Sequence, residues 1–258
     1  MAAVACAGIE KRGKNRYTDT VPGALCPGSY ANSYQQGGIT VMLITYHAHS
    51  QFLLETGNVF RILTDPYDAH TGYDMQKTEA DLVLVSHAHG DHAYTDKVTG
   101  SPRVIREAGV YGVGPGVTVT AIESDHDDAG GEKRGKTLLF LIEAEGLRVA
   151  HLGDLGRTLN EEELSALGRV DVLLVPVGGF FTVDAKQAAY TARALGAHTV
   201  IPMHYKTRAN ASWPIADETA FLALMGAEDA PRMPLIRVTR ADLSEQPRVC
   251  VLEPRCLK

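Results

Sequence analysis

The sequence predicts a single α/β domain with two layers of sheet. Three observations carry that prediction. Short strand-like runs dominate the first half of the chain, strand and helix alternate in the second, and hairpin-type connections are too many for a doubly wound parallel sheet. A length of 258 residues fits one large domain or two small ones at about 100–200 residues each, and no linker or low-complexity tract divides the chain. With 45% hydrophobic and 22% charged residues there is apolar material for a packed core, which excludes wholesale disorder.

Residues 1–40 lack sustained periodicity and are rich in Gly, Ala, Ser and Gln, so they read as an N-terminal extension, flexible or loosely docked, ahead of a domain covering 41–258. The pattern sharpens at Val41. Strand-type runs follow at 41–46, 51–55, 59–64 and 82–86, with Gly57, Asn58 and the Asp65-Pro66 pair supplying turns between some of them. Further runs lie at 117–122, 137–142, 147–151 and 172–175, and the last at 200–203 and 249–252. Helical signals are fewer. Asn160 with Glu163 forms a capping box ahead of Leu164 and Leu167, and Gly168 closes that helix. Asp184 caps the Ala-rich run 185–195, which stops at Gly196, and 217–225 is the third helix.

The formal net charge is −6, from 25 basic and 31 acidic residues, which leaves no electrostatic footprint for a nucleic-acid backbone. No apolar run approaches the ~20 residues of a membrane-spanning helix, so the chain reads as soluble with no membrane partner. Cys6, Cys26, Cys250 and Cys256 lie near the two ends without a CxxC pair, which excludes structural zinc fingers and thioredoxin-like motifs. A disulfide between the ends stays open; free thiols in a reducing cytoplasm are the plainer reading. The small residues at 1–8 precede the basic ones, the reverse of a secretory signal, and a cytoplasmic location is the expectation.

Chemistry concentrates in the histidines. Of ten, four fall within residues 87–126. The string Ser86-His87-Ala88-His89-Gly90-Asp91-His92 follows directly on a strand. In an extended segment residues two apart point the same way, so His87 and His89 can hold one cation together. Gly90 lets the chain turn, and Asp91 and His92 can then face a second cation nearby. Neutral imidazole and carboxylate are ligands that zinc and its neighbours prefer, whereas an apolar core would not tolerate such a cluster unpaired. Two cations need more ligands than this string holds. His126, Asp154 and His204 each stand at or just past the end of a β-type run, where sites in layered αβ folds gather. Taken singly, each also reads as an ordinary loop, turn or partly buried residue.

The order HxHxDH, His, Asp, His resembles the metallo-β-lactamase superfamily of binuclear metallohydrolases. Finer strings are similar to its broad branch of metal-dependent hydrolases that includes ascorbate-phosphate lactonases: His49-Ser50-Gln51-Phe52-Leu53-Leu54-Glu55, Thr64-Asp65-Pro66, His151-Leu152-Gly153-Asp154, Pro176-Val177-Gly178-Gly179-Phe180-Phe181-Thr182 and Pro202-Met203-His204-Tyr205. The resemblance runs from about Val41 to Leu252, and Met42 stands where such chains often begin, so 1–41 reads as an extension or a misplaced start. It implies an αββα sandwich, two mixed sheets flanked by helices, with the site at one edge. It implies that His87, His89 and His126 hold one metal and Asp91, His92 and His204 the other, with Asp154 bridging. Iron-binding, oxygen-reducing relatives typically place Glu where this chain has His89, so histidine there favours zinc, with manganese second.

Two cations about 3.5–4 Å apart can share a hydroxide and lower its pKa toward neutrality, which makes it a nucleophile for a carbonyl or phosphoryl centre. No GxSxG string suggests a serine triad instead. Asp91 has a second role to offer, orienting the hydroxide and passing a proton to the leaving group. His151 either lines the pocket as a catalytic group or steers a ligand. His49 offers similar work. Phe180, in the turn 178–181, shapes the pocket wall or follows ordinary loop geometry; Tyr205 donates to an oxyanion or simply packs. Lys206 and Arg208 meet an anionic group or stay solvated. His47, His70 and His198 carry no pattern and read as surface residues.

Two motif matches are set aside. Gly130-Gly131-Glu132-Lys133-Arg134-Gly135-Lys136-Thr137 fits GxxxxGK[ST], yet a strand follows where a phosphate loop needs a helix, and Asp125, Asp127 and Asp128 would repel a polyphosphate. Its basic residues instead flank the metal site from the His126 side. The string Gly112-Val113-Gly114-Pro115-Gly116 reads as a turn. The expected function is a binuclear metal-dependent hydrolase of a small-molecule lactone, ester or amide. The alternatives are a phosphodiesterase on a small or cyclic phosphate and a metal-dependent binding protein without turnover; a nuclease is disfavoured by the acidic balance. A small-molecule substrate is the expected partner, nucleic acid is not, and homo-oligomerisation stays open.

Overall fold

One strand shows how the sequence pattern builds two cores. Leu138, Phe140 and Ile142 alternate with Leu139 and Leu141; successive side chains of a strand point to opposite faces, so the first three enter one apolar cluster and the other two a second. A strand buried on both faces lies inside a layered fold. The computed structural model describes residues 35–36, 39–243 and 248–255.

In chain order the first strands are β1 (Met42–Ala48), β2 (Gln51–Glu55), β3 (Arg61–Thr64), β4 (Leu82–Leu84) and β5 (Arg103–Ile105). Then come β6 (Gly109–Gly114), β7 (Val117–Asp125), β8 (Lys136–Ala144), β9 (Leu147–His151), β10 (Val172–Pro176) and β11 (Thr199–Met203). β12 (Leu235–Val238) and β13 (Arg248–Val249) close the set. One sheet has the order β12-β1-β2-β3-β4-β5 and the other β6-β7-β8-β9-β10-β11-β13. Both are mixed: antiparallel hairpins occupy one side of each, and parallel strands the other.

The helices are α1 (Gly90–Ala93), α2 (Glu161–Leu167), α3 (Ala185–Ala194) and α4 (Thr219–Met225). Capping boxes start two of them, Asn160 with Glu163 and Asp184 with Gln187. Met42, Ile44, Phe52 and Leu54 of one sheet meet Val119, Phe140, Val149 and Leu174 of the other in the central core. A second core lies between the outer face of the larger sheet and the helices, where Leu139, Leu173 and Val175 pack with Leu167, Ala188, Ala192 and Phe221. The smaller sheet's outer face, with Leu53, Leu63 and Val83, is covered by Tyr67, Tyr73 and Met75. That gives the αββα sandwich, with a thin outer layer on the second side made of connecting chain, α1 and one 3-10 turn, Ala69–Thr71.

β5, β6 and β12 lie outside the strand-like runs of the sequence. β5 has three residues, two of them exposed, and β6 is a glycine-rich edge strand with no buried residue, so neither carries the hydrophobic alternation that marks a strand. Gly112 and Gly114 belong to β6, leaving only Pro115 and Gly116 as the turn. The run 249–252 divides at Cys250: β13 pairs with β11, while Val251–Leu252 pairs with Arg232–Met233. His47 and His198 are buried rather than on the surface, because the strand carrying the first and the helix–strand turn carrying the second are covered on both sides. His70 is exposed. Cys250 is a buried free thiol; Cys6, Cys26, Cys256 and the leader 1–34 lie outside the described residues. Among the described residues no helix is long and apolar enough to cross a membrane.

His47 makes the burial testable. Its Nδ1 lies 2.8 Å from Gln51 Nε2. Burial, helped by the Arg255 charge, holds the imidazole down at about 4. In the unfolded chain it protonates near pH 6.5. Between those values the unfolded state binds the extra proton, so stability falls as pH falls, by up to about 3 kcal/mol. His47→Gln retains an acceptor for Gln51. Urea unfolding should show it gaining on the wild type by up to that amount between pH 7 and pH 4. A difference that stays constant across the window would clear His47 of the effect.

Candidate metal centre

The site is built where strands stop. β3 runs into Asp65, β4 toward Ser86 and His87, β7 into His126, β9 toward Asp154 and β11 into His204, while His49 sits in the turn between β1 and β2. Asp65 is fully buried and accepts three hydrogen bonds, from Ser86 N at 2.7 Å, Ser86 Oγ at 2.8 Å and His92 Nδ1 at 2.9 Å. That contact fixes the His92 ring with Nε2 directed into the site. Residue His89 precedes α1 in extended geometry, and the amides of His92 and Ala93 both donate to its carbonyl at 3.0 Å, so the HxHxDH string bends back on itself. Gly153 allows Asp154 to reach inward. Its φ is +49°, and a Cβ there would lie 2.6 Å from Thr137 Oγ1 and 2.8 Å from Ser86 Cβ.

The seven side chains put forward as ligands lie together. His87, His89 and His126 form one group whose ligand atoms are all within 4.8 Å of one another; His87, His92 and Asp154 form a second; Asp91, His92 and His204 join His49 in a third. Asp154 stands among them, with Oδ1 3.3 Å from His92 Nε2 and Oδ2 3.3 Å from His204 Nε2 and 3.5 Å from His126 Nε2. His49 is closer to the centre than a pocket wall. Its Nε2 lies 3.1 Å from His92 Nε2 and 3.3 Å from Asp91 Oδ2.

Charge follows from this crowding. Burial would push His92 down, yet Asp154 and Asp65 on either side raise it well above the ordinary histidine range. Burial would raise Asp154, but His204 and His92 hold it well below the usual carboxylate range. Burial, then the charge of His92, brings His87 down to about 3; burial, then His204, brings His49 to about 4. An imidazole that is neutral at pH 7 is in the form that binds a cation. His87 Nε2 is buried without a hydrogen-bond partner, while Nδ1 lies 2.9 Å from Ser86 Oγ. A polar atom so placed costs roughly 1–3 kcal/mol, which a cation shared with His89 and His126 would remove. The donor set, imidazole and carboxylate only, fits zinc and similar divalent ions.

A pocket of about 220 Å³ opens onto the cluster, lined by His89, Asp91, His126, Asp154 and His204 together with Arg134, Phe181 and Trp213. A larger groove, about 500 Å³, lies between the ends of α3 and α4 and touches none of these histidines. The loop that resembles a phosphate loop is filled by the protein itself. Asp127 accepts hydrogen bonds from the backbone amides of Ala129, Gly131, Lys133 and Arg134 at 2.8–2.9 Å, and the strand β8 follows it. These four amides hold the carboxylate down at about 2 despite the opposing effect of burial.

His151, Tyr205 and Phe180 stand outside the open centre of the pocket. His151 is fully buried, 2.8 Å from the Ser50 carbonyl through Nε2 and accepting from Gly153 N through Nδ1, so it does not face the pocket as a catalytic group. Tyr205 packs in the helix-side core, because the residue after His204 points away from it. Phe180 is 61% exposed and sits on the rim, where it meets Phe181 edge to face; Phe181 does line the pocket. Asp65 and Trp213 were missed as site residues. Asp65 reads locally as a turn residue before Pro66, and only its buried contact with His92 reveals its part. The lone tryptophan carries no local signal.

Several known proteins are similar to this chain. A family model for a β-lactamase superfamily domain matches residues 43–204. A UPF0173 metal-dependent hydrolase of Pyrococcus abyssi is 31% identical over 213 residues, covering 71% of this chain and 92% of that protein. One from Thermococcus onnurineus is 31% identical over 195 residues, covering 64% and 85% respectively. Among solved structures, a protein of Thermotoga maritima assigned as a Zn-dependent hydrolase of the metallo-β-lactamase superfamily superposes with a TM-score of 0.67 at 34% identity, over 82% of this chain and 98% of that one.

Two outcomes follow for the supporting residues. Asp65→Asn keeps shape but removes the charge that holds His92 Nδ1–H; metal affinity, read by chelator competition, should fall about 10–100-fold with the fold retained. His151→Ala should lose about 2–5 kcal/mol in urea unfolding, since a buried ring and two hydrogen bonds go, while the metal bound per folded chain is unchanged.

Proposed function

This chain is a metal-dependent hydrolase of the metallo-β-lactamase superfamily, and from that premise we propose that it holds two divalent cations, zinc first and manganese second, and cleaves a small-molecule lactone, ester or amide. The observation that carries the proposal is the overlap of three ligand groups around Asp154, which supplies donors for two ions with one carboxylate between them. His87, His89 and His126 would hold one ion, Asp91, His92 and His204 the other, and Asp154 would reach both. His49, within 3.3 Å of Asp91, adds an eighth donor or a proton carrier.

Divalent ions bound there supply Lewis acidity and lower the pKa of water toward neutrality. The protein's own groups do the rest. Asp91 keeps part of its side chain open to the pocket, with 23% of it exposed, so it can orient a reacting water and pass a proton to a leaving group. Its carboxyl is held far below the usual carboxylate range by the His49 hydrogen bond and the His92 charge, against the opposing effect of burial. It is therefore ionised at neutral pH, the form that binds a cation and accepts a hydrogen bond from water. Phe181 and Trp213 supply an apolar wall that excludes bulk water from one side.

A phosphodiesterase is the second reading, and Arg134 beside the pocket favours it because a guanidinium suits a phosphate. Metal analysis should return two ions per chain. The loaded protein should turn over members of a lactone, ester and amide panel faster than bis-aryl phosphates, and chelation should abolish turnover. His89→Ala and Asp154→Ala should each lose bound metal and lower turnover by more than the about 100-fold that a supporting residue costs. An Asp154→Ala protein with full metal content and activity would sink the assignment; metal retained with no turnover on either panel would leave a binding protein.

A further inference from the structure

The proposed hydrolysis leaves one basic side chain at the pocket unexplained. Three cations fall within residues 133–136, at the end of the loop after His126 and the start of β8, and two are satisfied within the protein: Lys133 pairs with Asp128 at 2.6 Å and Lys136 with Asp125 at 2.5 Å. Arg134, between them, forms no ion pair among the described residues, yet it lines the pocket beside His126. Its guanidinium carbon lies 5.7 Å from the Phe181 ring centre and 6.0 Å from that of Phe180. A guanidinium lying over aromatic faces keeps its N–H edge free, and that edge is the part that recognises carboxylate and phosphate.

The loop that presents it is not free to wander. Asp127 ties down four of its amides, including that of Arg134 itself. The pocket's own carboxylates do not claim the guanidinium either. Asp91 and Asp154 are engaged with His49, His92, His126 and His204 at 3.3–3.8 Å. Two divalent ions against those two carboxylates would leave the pocket electropositive before Arg134 is counted. In the same pocket Trp213 and Phe181 offer apolar contact.

We propose that Arg134 is a specificity-determining residue that selects substrates carrying an anionic group, a carboxylate or a phosphate, set apart from the hydrolysed bond by an apolar stem. This rests on the hydrolase reading above, since the same pocket serves both. Trp213 is the only tryptophan in the chain, so its fluorescence reports ligand entry directly. The zinc-loaded protein is titrated with glutarate, with its monomethyl ester and with 4-phosphonobutyrate, so that each probe has one anionic end for the metal centre and only the first and third have a second. Glutarate or the phosphonate should bind about tenfold more tightly than the monoester, the scale of one charge-assisted hydrogen bond. The tighter of the two tells carboxylate from phosphate. In Arg134→Gln the preference should collapse toward unity, and Arg134→Lys should restore part of it, with zinc content unchanged in both. An equal preference in wild type and Arg134→Gln overturns the proposal, as does no preference in the wild type. The two readings fail separately: preference lost with Arg134 but no turnover on any panel removes hydrolysis and leaves the anion site, whereas turnover with no dependence on Arg134 removes only the anion site.

Discussion

Asp65 and His92 form a buried pair 2.9 Å apart, and neither side chain is exposed. Burying an ionised carboxylate is unfavourable unless hydrogen bonds replace water, and here three donors do so: Ser86 through its amide and hydroxyl, and His92 through Nδ1. The pair therefore locks three segments at once, the end of β3, the start of the histidine string and helix α1. Without it the string would be a solvated loop with no reason to point inward.

The remaining segments meet it under strain. His49, Asp65 and His204 all have positive φ, at 57°, 36° and 51°, a region that non-glycine residues enter only when the surroundings force them. The surroundings are visible. His204 N donates to the His49 carbonyl at 2.9 Å, and the Tyr46 hydroxyl donates to the same oxygen at 2.9 Å. Gly156 packs so closely that a Cβ would lie 2.1 Å from Asp127 N, which presses the Asp154 segment against the His126 segment. Rigid sheets on both sides hold these turns, so the strain is spread through the two cores rather than relaxed at the site.

The loop 128–135 illustrates how a short motif depends on context. Its glycines and amides make a cradle for an anion, and the anion they hold is Asp127. The loop thereby becomes a rigid bracket, and the useful group on it is the arginine that the bracket presents to the pocket.

Much of this was legible in the sequence. Alternation marked most of the long strands, a capping box marked α2, an N-cap residue marked α3, and the histidine and aspartate positions at strand ends marked side chains that the fold brings together, because each of these signals is local. Edge strands such as β6 escaped, since an exposed glycine-rich segment becomes a strand only through its partner. His151 lies within the same short string as Asp154, but β9 ends on it and turns its ring into the core, a direction set by contacts with Ser50 and Gly153. Asp65, Arg134 and Trp213 belong to the site only because segments far apart in the chain meet there. The sequence alone determined which residues were chemically able to bind a metal and which faces were apolar; the tertiary structure alone decided which of those residues point at one another, because that depends on backbone turns and long-range packing that no local pattern encodes.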